Sequence, residues 1–272
     1  MLYETTDFSL WSFVSKIKSM RIARFLYNNL PGWGVIEKDD IAVLEGSPFK
    51  EISFSKEKLP LKETSLFPPA QPGKIVLAGL NYKDHAEELK MPLPKNPVIF
   101  LKPPTSIIGP NQAILYPQGI GRLDYEAELA VVIKKKAKAI EEESALDYVL
   151  GFTCLNDVTA RDIQEQEGQW TRAKSFDTFC PIGPWIETEL NPNNTSVKCY
   201  LNGELKQNSS TKEFLFSVGS LLSFISKTMT LLPGDIVSTG TPKGIGPMLP
   251  GDKVRVEVEG IGELENYICK PR

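Results

Sequence analysis

Glu126 and Glu128 stand at the head of an unbroken apolar run, Leu129-Ala130-Val131-Val132-Ile133. Both parities of that run are apolar, so it reads as a strand buried on both faces. Side chains at i and i+2 of a strand point the same way. The two glutamates therefore share a face, roughly 6–7 Å apart from the rise per residue. Taken alone, Asp124-Tyr125-Glu126-Ala127-Glu128-Leu129 also fits a half-exposed strand with a solvated acidic face. The buried continuation argues that the acids lie where a core strand opens into a pocket. Asp157 repeats the pattern, closing a segment whose hydrophobic run is Tyr148 to Leu155. Buried like charges cannot all stay ionised without a partner. For oxygen ligands of this kind the usual partner is a hard divalent cation.

A chain of 272 residues suits one large or two small domains, and 41% hydrophobic content supports a sizeable core. The net charge is −3, with acids and bases interspersed. No basic stripe points to nucleic acid. Cys154, Cys180, Cys199 and Cys269 lack zinc-site spacing and read as reduced, buried thiols. The expected compartment is the cytoplasm. Residues 1–19 carry Glu4 and Asp7 and make a poor signal peptide. No apolar run is long enough to span a bilayer. Phe214 to Leu232 comes nearest, but four serines and Lys227 interrupt it, so it reads as an amphipathic core helix.

Two domains are expected. Residues 1–71 form an N-terminal extension and a small β-rich domain, with the Pro-rich stretch Leu59 to Pro72 as linker. Residues 72–272 form the catalytic domain. Strand-like pieces in the first part are Met20 to Tyr27, Gly32 to Ile36 and Asp40 to Leu44. Further on, strands are predicted at 75–78, 98–101, 127–133, 151–155, 197–201, 236–238, 253–258 and 263–268. Helices are predicted near 85–89, 144–148, 160–167 and 217–228. Many strands and few helices give an α+β fold, mostly β, with mixed pairing.

His85 is the chain's single histidine. Glu88 lies three residues on, so one helical turn would set its carboxylate beside the imidazole. A carboxylate accepting the Nδ1 proton orients a histidine as general base. An ordinary histidine on a surface helix would show the same spacing. Lys174 is either a surface lysine or a cation facing the metal, where it would stabilise a developing enolate or a bound carboxylate. The glycines of Thr239-Gly240-Thr241-Pro242-Lys243-Gly244-Ile245-Gly246 form a plain turn or let backbone N–H groups approach a carboxylate.

Six motifs then occur in order: Gly-Leu-Asn-Tyr-Lys-Asp-His at 79–85, Phe-Leu-Lys-Pro at 100–103 and Asp-Tyr-Glu-Ala-Glu-Leu at 124–129. Asn-Asp-Val-Thr-Ala-Arg-Asp-Ile-Gln at 156–164, Ala-Lys-Ser-Phe-Asp-Thr-Phe at 173–179 and Ser-Thr-Gly-Thr-Pro-Lys-Gly-Ile-Gly at 238–246 follow. The set resembles the fumarylacetoacetate hydrolase family over roughly residues 72–270. The resemblance implies a mixed β-sandwich roll and a homodimer. It implies Mg²⁺, or in some members Mn²⁺ or Ca²⁺, held by Glu126, Glu128 and Asp157. It makes His85 and Glu88 a catalytic dyad on a lid and Lys174 the active-site lysine. It makes Gln164, Thr241 and Lys102 substrate contacts. Leu80 departs from some acylpyruvate-cleaving members, which carry arginine there.

The activity this implies is metal-dependent hydrolysis or lysis of a C–C bond in small 2-oxo acids of acylpyruvate or fumarylacetoacetate type. Oxaloacetate decarboxylation would use the same enolate. The alternatives are an isomerase or decarboxylase of the 2-hydroxyhepta-2,4-diene-1,7-dioate type, and a non-catalytic metal-binding member. Retention of His85, Glu88 and Lys174 argues against the last, because a scaffold needs no base.

Overall fold

A computed structural model describes residues 19–271 apart from Leu89 and Met91. The N-terminal extension and signal-peptide readings, and the end of the helix predicted at 85–89, fall on residues outside that set. Strand Ala127–Ile133 is buried along its whole length. It lies between Val149–Asn156 and Ile236–Ser238, antiparallel to both. Side-chain alternation explains why both parities are apolar. Leu129, Val131 and Ile133 enter one core with Phe152, Cys154, Val197, Val256 and Leu264. Ala130 and Val132 enter a second core with Ile75, Leu77, Leu155 and Ile182. Each fully buried side chain of this size stabilises the fold by about 1.5–3 kcal/mol.

Outward from this centre, Ile236–Ser238 pairs in parallel with Ile75–Ala78, which pairs antiparallel with Ile99–Lys102. On the other flank, Val149–Asn156 pairs with Cys180–Glu187, and that strand with Arg21–Tyr27. The meander Leu30–Glu37, Asp40–Leu44, Phe54–Pro60 completes this flank of a twelve-stranded mixed sheet. A five-stranded sheet, in the order Glu204–Ser210, Ser196–Leu201, Lys253–Val258, Gly262–Cys269 and Ala113–Leu115, supplies the facing side of the first core. The class is the expected one: mostly β, mixed, with a β-rich N-terminal part. Among the described residues, no helix is long and apolar enough to cross a membrane.

One expectation needs correction. Residues 59–72 are not a bare linker. They finish strand Phe54–Pro60, make the 3₁₀ turn Leu61–Glu63, and add strand Ser65–Phe67 against Arg21–Tyr27. The Pro-rich composition signalled the bends and hid the pairing between them. The segment expected as a helix at 144–148 is 3₁₀ over Glu142–Tyr148. Strand Cys180–Glu187 has no clear sequence signal, because Pro181, Gly183 and Pro184 demote it on propensity. Burial on both sides of a wide sheet overrides that propensity.

Candidate metal and active site

Glu126 sits at the break between strands Leu123–Tyr125 and Ala127–Ile133. Ala127 pairs with Asn156, which brings the end of the neighbouring strand alongside. Asp157 N–H donates to Glu126 O at 2.8 Å, and Glu126 N–H donates to Asn156 Oδ1 at 2.9 Å. One carboxylate oxygen each from Glu126, Glu128 and Asp157 then lie within 4.8 Å of one another, and all three residues are buried. The cup expected from sequence is therefore formed.

Cations surround this cup. Lys174 Nζ donates to Glu126 Oε2 at 2.7 Å and to Asp157 Oδ2 at 2.6 Å. It also lies 5.1 Å from the Phe100 ring centroid. Arg161 pairs with Glu126 and with Asp124. Glu128 accepts from Ser238 Oγ and from Gly240 N–H. Burial alone would push the Glu126 carboxyl up, but Lys174 and Arg161 outweigh it and hold Glu126 well below the usual carboxylate range. Among the described residues, no such cation contacts Glu128. Burial, with the charges of Asp157 and Glu126, pushes it well above that range. Burial would lower Lys174, yet Asp157 and Glu126 raise it, so it is an ammonium rather than a base. Three converging, buried, hard oxygen donors with one left uncompensated fit a divalent cation.

The helix Lys83–Glu88 carries the dyad. His85 Nδ1 lies 2.9 Å from Glu88 Oε2, at the i, i+3 spacing expected. Glu88 Oε1 accepts the Gly244 N–H at 2.9 Å. The glycine-bearing loop thus spends two of its amides on protein carboxylates: Gly240 on Glu128 and Gly244 on Glu88.

His85, Glu88, Glu126, Asp157, Lys174 and Gln164 line one cavity of about 510 Å³. Leu80, Phe100 and Trp170 give it an apolar wall. Trp170 packs so close to Gly79 that a Cβ there would lie 2.3 Å from the ring. Glu128 is not among the residues that line the cavity. Gln164 accepts from Arg161. The structure does not bring Lys102 or Thr241 to the cavity lining. Lys102 is buried beneath Asp157, donating to Oδ1 and, at 3.1 Å, to Val158 O. Thr241 Oγ1 donates to Ala127 O at 2.9 Å and accepts from Gln207 Nε2 at 2.9 Å. Both side chains are spent on holding the ligand strands. Arg122, Arg161, Phe100 and Trp170 line the cavity and were not singled out from sequence. Arg161 had a local signal, its i, i+3 spacing to Gln164 on helix Arg161–Glu167. Arg122 and Trp170 had none.

Fold and site together define a metal-dependent enzyme built on a mixed β roll. The family model described as fumarylacetoacetate (FAA) hydrolase C-terminal matches residues 74–269, and the chain belongs to that family. A second model, Rv2993c-like, N-terminal, matches residues 20–69. A mitochondrial oxaloacetate tautomerase of Xenopus laevis is 44% identical over 75% of this chain and 67% of its own. The crystal structure of 5-carboxymethyl-2-hydroxymuconate delta-isomerase from Mycobacterium smegmatis superposes with a TM-score of 0.88 at 40% identity, covering 93% of this chain and 100% of that one. Maleylpyruvate hydrolase from Sphingobium sp. SYK-6, solved with manganese(II) and pyruvate, gives a TM-score of 0.78 at 29% identity, with 93% and 100% covered.

Proposed function

We propose that this enzyme cleaves the C3–C4 bond of a small acylpyruvate-type 2-oxo acid with water. The observation that carries the reading is that the His85–Glu88 pair opens onto the same cavity as Glu126, Asp157 and Lys174. A base then faces an electrophilic site across one small space. Glu126, Glu128 and Asp157 would hold Mg²⁺, or Mn²⁺ or Ca²⁺ in its place, which when bound supplies Lewis acidity toward the keto oxygen.

His85, oriented by Glu88, takes a proton from water as the water oxygen bonds to C4. The C3–C4 bond breaks with its electron pair passing to C3, as the enolate of pyruvate. The Lys174 ammonium stabilises that negative charge. His85 returns the proton to C3, giving pyruvate and a carboxylic acid. Leu80 presents an apolar side chain to the cavity, which suits an uncharged acyl tail.

A second reading is keto–enol tautomerisation of a 2-oxo diacid. It is favoured by the 44% identity to an oxaloacetate tautomerase. Here His85 would only move a proton at C3, and no C–C bond would break. Turnover of EDTA-stripped protein with and without Mg²⁺ separates the readings, using acetylpyruvate, oxaloacetate and a hydroxy-dienoate. Mg²⁺-dependent loss of acetylpyruvate is expected. Enol–keto exchange of oxaloacetate with acetylpyruvate untouched would replace the first reading by the second. We also propose a homodimer and a cytoplasmic setting, the latter supported by the buried free thiols of Cys154, Cys180 and Cys199. Residues 1–71 and 72–272 remain the proposed domain division.

A further inference from the structure

We infer that Gln207 and Gly244 are positioning residues that tie the acidic strand to the His85–Glu88 dyad. The inference rests on reading that dyad as the working base. Gln207 is 1% exposed. Its Oε1 accepts the Ala127 N–H at 3.0 Å, between the ligands Glu126 and Glu128. Its Nε2 donates to Thr241 Oγ1 at 2.9 Å and to Pro242 O at 2.8 Å. Two residues later in that loop, the Gly244 N–H reaches Glu88 Oε1 at 2.9 Å. One amide side chain therefore joins the metal ligands to the segment that holds the base's orienting carboxylate.

Local backbone sets both ends of this link. The pairing passes from Cys199↔Gln207 to Tyr200↔Leu205, which leaves Lys206 as the extra residue of a bulge. The Lys206 carbonyl packs against Gly244. A Cβ on Gly244 would lie 2.4 Å from that oxygen, and the residue's φ of +95° is one that glycine alone adopts freely. A side chain at position 244 must push the loop away from Glu88. Glu88 is 34% exposed along its side chain, so without the Gly244 N–H only His85, among the described residues, would hold it. The orienting partner of a working imidazole fixes its tautomer. Loosening Glu88 loosens that choice.

The single histidine makes the test direct. Imidazole nitrogen resonances of ¹⁵N-histidine-labelled, Mg²⁺-loaded full-length protein report the dyad without overlap. Wild type is expected to show one tautomer, protonated on Nδ1. Gly244→Ala should broaden or shift the Nδ1 signal while leaving Mg²⁺ affinity, read by calorimetry, unchanged. Gln207→Met should shift the same signal and also weaken Mg²⁺ binding about 10-fold or more, the usual loss for a partner one layer out from a metal. Circular dichroism confirms folding, and if one variant fails to fold the other decides. Unchanged His85 resonances in a folded variant would overturn the inference. Neither readout needs a substrate, so failure of the proposed reaction leaves this test intact.

Discussion

Lys102 and Asp157 form an ion pair with almost no exposed surface, their side chains 0% and 1% accessible. Lys102 approaches Asp157 Oδ1 while Lys174 takes Oδ2. The lysine therefore holds the ligand Asp157 and does not line the cavity. Removing Lys102 leaves Asp157 with Lys174 as its cation, so the cost is that of a lost charge-assisted hydrogen bond, about 1.5–3 kcal/mol, rather than that of an unpaired buried charge. Lys102→Met is expected to lower unfolding free energy by that order in urea titrations of the metal-free protein. Added Mg²⁺ should restore part of the loss, since a bound cation neutralises Asp157 from the cavity side. A change under about 0.5 kcal/mol, the range of ordinary surface substitutions, would remove Lys102 from this role.

Glu126→Gln and Asp157→Asn each delete one hard donor while keeping shape. Metal assistance is worth several kcal/mol to the transition state, so turnover should fall at least ~100-fold. Mg²⁺ binding by calorimetry should weaken in parallel. Full activity with saturating Mg²⁺ would take the altered residue out of the ligand set.

The parts of this molecule that could be read from sequence are those whose signal is local. Ala127–Ile133 announced itself because both parities are apolar, and both faces are in fact cores. Glu126, Glu128 and Asp157 stood out as acids set against apolar runs. His85 and Glu88 were joined by helical spacing, and their contact at 2.9 Å follows from it. What could not be read depends on distant packing. Cys180–Glu187 looks broken by its prolines and is held by neighbours on both sides. Lys102 and Thr241 lie in recognisable motifs, yet only the folded chain shows them turned toward ligand strands. Arg122 binds Asp124 two residues away, but nothing local says that this pair borders the cavity.

Three buried thiols carry a pH dependence. Burial pushes Cys180 up to about 12 and raises Cys154 and Cys199 further. In the unfolded chain each ionises near pH ~8.5. A raised native value means that the native state holds the proton more tightly. The stabilisation is thus complete below about 8.5 and is lost as pH rises toward the native values, at about 1.4 kcal/mol per pH unit per thiol. Thermal melts should fall steeply between about pH 9 and 11. The Cys154→Ala, Cys180→Ala and Cys199→Ala variants should each flatten the decline. An identical alkaline slope in all three variants would assign it elsewhere.

His85→Ala separates the chemical steps. Hydrolysis of an acylpyruvate needs an activated water, whereas loss of CO₂ from oxaloacetate forms the same enolate without one. General-base catalysis contributes about 10²–10⁴-fold. His85→Ala should therefore cut acetylpyruvate hydrolysis by about that factor and oxaloacetate decarboxylation far less. Glu88→Gln should follow the same pattern more weakly, because it disturbs the orientation of the imidazole and leaves the ring in place. Comparison of kcat on the two substrates, with Mg²⁺ saturating, reads the difference directly. Equal losses on both would mean that the His85 step limiting turnover is the shared delivery of a proton to C3, and not the activation of water.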